Sequence, residues 1–166
     1  MNGIRVIIAN LIYSILAVTG VLLAFEADRF WPFRLPEQHE LLAWLLMILG
    51  TSLILAAEYC FITVGHATGA PGNPPQQMVT TGIYRRVRNP IYIGEAMLLF
   101  GVAFLRNSPT MLLISVAFVP AIHTFVVCFE EPHTKRRFEA AYDRYKVNVP
   151  RWLPRLPRRG EDGNMV

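Results

Sequence analysis

Two adjacent carboxylates, Glu130 and Glu131, follow directly on Thr110–Phe129, a stretch of 20 residues without a charge. At the C-terminal end of a helix they would oppose the macrodipole by about a few tenths of a kcal/mol or more. The Arg85, Arg86 and Arg88 cluster would offset that, as would the hydroxyl and amino groups of a ligand; a solvated acidic pair is the plainer alternative. A second constellation is Arg88-Asn89-Pro90-Ile91-Tyr92. Asparagine is among the best N-caps and proline suits the first helical position, so a helix is expected to start here. Free N–H groups and a positive dipole end beside Arg88 would seat a carboxylate or a phosphate. The same residues also read as a bare turn anchored by three arginines. Glu58 and Glu95 are ionisable groups inside apolar segments, which are costly and functional candidates by default. Each lies close enough to a segment end to snorkel or to pair with loop arginines instead.

Other candidate groups read as structural. His123, beside Pro120, is expected to pack in the core and to hydrogen-bond the Val116 carbonyl that the proline leaves free. No second His or Cys stands at ligand spacing, so no metal site is expected. Cys60 and Cys128 read as buried core thiols in a reducing compartment.

The elements that must position these groups are apolar. The chain has 166 residues, 53% hydrophobic and 17% charged, with mean hydropathy +0.34. Average soluble domains are about 45–50% apolar and about 25% charged, so the composition leans toward the membrane. It excludes a disordered chain, and two cysteines exclude a disulfide scaffold. The net charge of +4 then speaks for orientation and anionic lipid rather than nucleic acid. Four segments stand out: Ile4–Phe25, Leu41–Val64, Ile91–Leu105 and Thr110–Phe129. About 20 apolar residues span a bilayer core, so the first, second and fourth qualify as spanning helices. The third has 15 residues. It reads as the short arm of a hairpin closed by the turn at 106–109. The first segment is longer than the roughly 7–15 apolar residues of a cleavable signal, and an uncleaved helix is expected.

With four spans, 13 of the 16 Lys and Arg fall on one side: Arg5, the loop arginines 85, 86 and 88, and nine beyond Phe129. Only Arg29, Arg34 and Arg106 fall on the other. Both termini and the loop 65–89 are therefore expected in the cytoplasm. On the outer side, Trp31 and Phe33 read as an interfacial belt. The first half of the long loop, 65–77, holds three Gly and three Pro without a charge and is no regular helix. Beyond it, Thr81 is expected to cap a short helix running to Val87 or Arg88. Lys135–Val147 reads as a basic amphipathic helix with Phe138, Ala141, Tyr142 and Tyr145 on one face, lying at the headgroups or lidding the bundle. A disordered tail is expected over 158–166.

These blocks resemble a family. Val79-Thr80-Thr81-Gly82-Ile83-Tyr84, Arg88-Asn89-Pro90-Ile91-Tyr92-Ile93-Gly94, Glu130-Glu131 seven residues before Phe138, and Tyr142-x-x-Tyr145-x-x-x-Val149-Pro150-Arg151 are similar to the integral-membrane methyltransferases typified by isoprenylcysteine carboxyl methyltransferase and its phospholipid-methylating relatives. The resemblance covers about residues 60–155. It implies an S-adenosylmethionine pocket contacted by Gln76, Gln77, Met78, Val79, Tyr84, Asn89, Pro90, Ile91, Tyr92, Glu130 and Glu131. Arg88, beside the helix start, would face the carboxylate of that molecule. Asn89 stands where the family often has a histidine, and asparagine does not titrate. Val126 stands where the prenylcysteine enzymes carry an arginine for the substrate carboxylate, which argues against that substrate.

The expected protein is thus an all-α polytopic bundle of about four transmembrane helices, the third and fourth as a hairpin, with a cytoplasmic cofactor-binding loop and a C-terminal amphipathic helix. One domain is expected over 1–157, in a multi-pass protein of a bacterial inner membrane or its equivalent. Its reaction would be S-adenosylmethionine-dependent methyl transfer to a lipophilic or lipid-linked acceptor, with membrane lipids and no nucleic acid as partners. A carboxylate acceptor needs no base; for an amine or a thiol, Glu58 and Glu95 are the nearest bases. The rival readings are a nicotinamide-dependent membrane reductase, its phosphates held by the arginine cluster, and a non-catalytic membrane scaffold.

Overall fold

A computed structural model describes residues 3–35, 39–67 and 75–154. The expected tail over 158–166 and part of the Gly- and Pro-rich stretch lie outside the described residues. Five α-helices are seen and, among the described residues, no strand: α1 Gly3–Ala27, α2 Glu40–Cys60, α3 Pro90–Leu105, α4 Pro109–Phe125 and α5 Glu131–Asn148. Two helical runs, Glu40–Gly65 and Pro109–Asn148, are long and apolar enough to cross a membrane. α3 has 16 residues, about 24 Å at 1.5 Å per residue.

Large apolar side chains point outward and small ones inward. Leu41, Ile48, Leu55, Leu113 and Phe129 are exposed, while Ala43, Ala57 and Ala103 are fully buried. Water does not tolerate so extended an apolar surface, whereas lipid tails do. Within a bilayer, close backbone approach between small residues is what holds helices together. On α2, Ala43, Gly50 and Ala57 recur every seven residues and are buried. Gly50 faces Gly94 of α3 and Ala43 faces Gly101, while Ala57 packs with Cys60, Val79 and Tyr84. A Cβ on Gly50 would stand 2.7 Å from the Gly94 carbonyl oxygen, and one on Gly101 would stand 2.6 Å from Cγ of Met47. The two backbones therefore touch, which fixes the antiparallel register of α2 and α3.

The α3–α4 hairpin turns where expected. Asn107 adopts a left-handed conformation (φ 49°), which asparagine tolerates better than most residues. Ser108 then caps α4, its Oγ accepting from the Met111 amide at 3.0 Å, with Pro109 in the first turn. Asp28, at the far end of α1, accepts from the Thr110 amide at 3.0 Å. Trp31 donates to the Thr110 hydroxyl at 2.9 Å. This short loop therefore joins α1 to the start of α4, a role the sequence reading did not give it.

Four expectations are corrected. α4 does not end before the acidic pair. A π-turn, Val126–Glu130, carries it into α5, so the basic amphipathic helix begins at Glu131 and not at Lys135. The wide turn absorbs Pro132, which has no N–H to give to the preceding turn. α5 is also kinked at Glu139 (φ 44°), and of its expected inner face only Ala141 is exposed. Cys60 is buried but Cys128 is exposed on the outer surface of the helix. His123 is likewise exposed, and its Nδ1 accepts from Trp152 Nε1 at 3.0 Å instead of bonding the Val116 carbonyl.

Asp28 generates a test. Burial pushes its carboxyl up, but hydrogen bonds from Ser108 and Thr110 and the nearby Arg34 charge outweigh this and hold it below the usual range. A lowered value contributes stability that is complete above about pH 4 and is lost as pH falls through the folded-state value. Asp28→Asn is expected to cost about 1 kcal/mol at neutral pH, the scale of a helix cap, and to flatten the loss of thermal midpoint below pH 4. Equal midpoints for variant and wild type at pH 7, measured in detergent, would show that the cap contributes nothing.

Candidate active site

At the end of the bundle opposite Asp28, the end of α2, the start of α3, the end of α4 and the kinked α5 surround a cavity of about 750 Å³. That lies within the roughly 300–1,000 Å³ typical of small-molecule sites. Met78, Val79, Tyr84, Arg88, Asn89, Pro90, Ile91, Tyr92, Glu130 and Glu131 all line it. Glu58 and Glu95 line it too, one from α2 and one from α3. Gln76 and Gln77 do not. Gly65 packs against Pro75 and Val79, and the Gln76 amide donates to the Gly65 carbonyl at 2.9 Å. That pinned turn puts Pro75 in the wall and leaves both glutamine side chains exposed.

The loop reaches the cavity through a short 3₁₀ turn, Gly82–Arg85, rather than the longer helix expected. Thr81 supplies only its carbonyl, which accepts from the Tyr84 amide at 3.1 Å; its side chain caps nothing. Gly82 has φ 58°, and a Cβ there would stand 2.5 Å from Cys60 Sγ, so the turn needs glycine twice over. Its function is to bury Tyr84. That ring meets Phe61 edge-on at 5.3 Å, within a cluster of Ala57, Cys60 and Val79. Burial, with Tyr145 and Glu58 nearby, pushes the Tyr84 phenol far up, so the ring stays neutral. Phe61 belongs to a second π-turn, Phe61–Gly65, so one such turn flanks the cavity on each side.

The polar wall centres on Glu131. Its Oε1 accepts from Arg88 at 2.9 Å and from Arg151 Nε at 2.7 Å, while Oε2 takes the second Arg151 nitrogen at 3.0 Å. Arg88 and Glu131 side chains are only 8% and 12% exposed. Arg88 also donates to the Tyr142 hydroxyl at 3.1 Å, and Tyr145 donates to the Tyr84 carbonyl at 2.8 Å. Among the described residues, Arg88 Nε is the buried side-chain nitrogen without a hydrogen-bond partner. Glu130 turns the other way and accepts from the Tyr92 hydroxyl at 2.7 Å. The acidic pair thus sits inside a continuous helix and not at a helix end. No terminal carbonyls oppose it, and only Arg88 of the three loop arginines compensates it; Arg85 and Arg86 are exposed.

Asn89 is a further correction. Its side chain does not cap α3 but donates to the Arg151 carbonyl at 3.2 Å. The start of α3 is therefore tied to the segment beyond α5, while Pro90 occupies the first turn as expected. Sequence reasoning missed Thr134 and the apolar wall of Ile54, Phe118, Ile122 and Phe125. It placed Phe138, Tyr142 and Tyr145 on one face but gave them no part in the site, although their spacing was the available signal.

The arrangement offers one buried cationic group with an unpartnered donor, the carboxylate paired with it, one carboxylate held by a tyrosine, two further carboxylates and an apolar floor. The sequence profile described as phospholipid methyltransferase matches residues 39–141, which include most of these positions. Among curated proteins no match is found, and none among solved structures. The matched stretch covers more than half of the chain, and the apolar helices fit its setting: the chain belongs to the phospholipid methyltransferase family and is an integral membrane methyltransferase.

Proposed function

We propose that the cavity binds S-adenosylmethionine and serves methyl transfer to a lipophilic acceptor entering from the bilayer. The observation that carries this reading is the unpartnered Arg88 Nε on a residue lining the cavity. A buried donor without a partner costs about 1–3 kcal/mol, and a carboxylate seated against Arg88 would satisfy it after a small turn of the guanidinium. Glu130, held by Tyr92, keeps acceptor oxygens for hydroxyl or amino groups. The Tyr84 and Tyr92 rings suit a cationic centre, by about 0.5–2 kcal/mol each. S-adenosylmethionine supplies a methyl group already activated on a sulfonium.

The protein's part is then mainly alignment and exclusion of water, and alignment alone supplies roughly 7–11 kcal/mol. The apolar floor of Ile54, Phe118, Ile122 and Phe125 suits the tail of a lipid acceptor. Val126 is fully buried, so that position gives no group to a prenylcysteine carboxylate. If the acceptor is an amine or a thiol, Glu58 or Glu95 takes its proton from within the cavity. The charge count supports four spans formed by α1 to α4, with both termini and the cavity on the cytoplasmic side.

Titration calorimetry of the detergent-solubilised protein with S-adenosylmethionine and with S-adenosylhomocysteine tests the reading. Saturable binding is expected, and Glu130→Gln should weaken it by about 1.5–3 kcal/mol, the scale of a hydrogen bond to a charged group. Heat no different from dilution up to millimolar ligand would remove the proposal.

The proton-accepting role has its own measurement, turnover of methyl-labelled S-adenosylmethionine on lipid extracts followed by mass spectrometry. With an amine or thiol acceptor, at least one of Glu58→Gln and Glu95→Gln should lower turnover by roughly 10²-fold or more, the scale of general-base catalysis. Full turnover in both variants would leave the carboxylates without that role.

A further inference from the structure

We propose that Arg151, which does not itself line the cavity, is a positioning residue that sets Arg88 and through it the cofactor seat. This rests on the reading of the cavity as an S-adenosylmethionine site. Arg151 spans both oxygens of Glu131, at 2.7 and 3.0 Å, in the paired geometry that only a guanidinium provides. Glu131 Oε1 is shared with Arg88 at 2.9 Å. The Glu131 carboxylate, together with the Tyr142 hydroxyl at 3.1 Å, therefore sets where the Arg88 guanidinium lies, and Arg151 sets the orientation of the carboxylate.

The backbone of the same segment repeats the connection. The Arg88 amide donates to the Pro150 carbonyl at 2.9 Å, and Asn89 Nδ2 donates to the Arg151 carbonyl at 3.2 Å. Residues 150–151 thus grip residues 88–89 by main chain, by Asn89 and by the shared carboxylate. Removing the Arg151 side chain leaves the main-chain and Asn89 contacts intact and leaves Glu131 paired with Arg88. The carboxylate, freed on one side, then turns, and Arg88 follows it. Loss of fold is not the expected consequence. Loss of order in the group that meets the carboxylate of the cofactor is.

A plain structural clasp would lower thermal stability and leave the steady-state constants alone, so the deciding readout is KM for S-adenosylmethionine set against kcat. Arg151→Ala is expected to raise that KM about tenfold, near the loss of one charge-assisted hydrogen bond, with kcat at saturating cofactor held within about twofold. Arg151→Lys keeps the charge but not the fork and is expected to fall between alanine and wild type. An unchanged KM in both variants, or a fall in kcat alone, would overturn the assignment. Should Arg151→Ala fail to fold, Arg151→Lys decides by calorimetric Kd for S-adenosylhomocysteine: weakened binding supports the role and wild-type affinity overturns it. Wild-type protein is titrated first, and its failure to bind would sink the reading of the cavity itself rather than the role of Arg151.

Discussion

The site depends on one carboxylate shared by two guanidiniums. Glu131 is nearly buried, and a buried charge is tolerated only when it is paired and hydrogen-bonded on every side. Arg88 and Arg151 meet that demand from two segments more than 60 residues apart in sequence. Neither segment is regular helix. Removing Glu131 itself would leave Arg88 charged and dry, which typically costs about 3–5 kcal/mol. The 3₁₀ turn carrying Tyr84, the start of α3 and the end of α5 therefore settle together. Tyr142 and Tyr145 reinforce the same junction with their hydroxyl groups.

That junction can be exact only because its foundation is rigid. The α2–α3 seam brings Gly50 against the Gly94 backbone, with Met47 and Ile54 packed closely beside the glycines of α3. Lipid provides no hydrophobic drive for helices to associate, so contact of this kind and internal hydrogen bonding must do it. Glu58 and Glu95 leave this seam on either side of the cavity, and the register of the two helices fixes where both carboxylates stand. Asp28 and Ser108 secure the far end, so α4 is fastened at its start before it reaches the site.

Much of this was legible in local chemistry. Apolar length marked the helices, Arg106–Pro109 marked the hairpin, and the Arg-Asn-Pro block marked the start of α3. The cavity-lining residues were within reach because they fall in short dense motifs. Less legible was whatever depended on distant partners. Asn89 has the right type and place for a cap, but the Arg151 carbonyl competes for its amide. His123 has a free proline-released carbonyl nearby, yet Trp152 occupies its ring nitrogen. Arg151 carried no local signal beyond its place in a motif, since its meaning comes from Glu131. Gln76 and Gln77 were assigned by position in a motif, whereas the Gly65 contact turns them out. The repeat of Ala43, Gly50 and Ala57 at intervals of seven was a signal that the sequence reading passed over.

The π-turn at Val126–Glu130 has a consequence for how this segment tolerates change. An α-helix advances about 100° per residue, so a single residue gained or lost between α4 and α5 would swing the whole distal helix by more than a quarter of a revolution. Glu130 and Glu131 would no longer point to Tyr92 and Arg88, and the tyrosines of α5 would face away from the loop. Conservative replacement of side chains in that turn leaves the phase of the helix alone. Its length, far more than its composition, is the quantity held fixed.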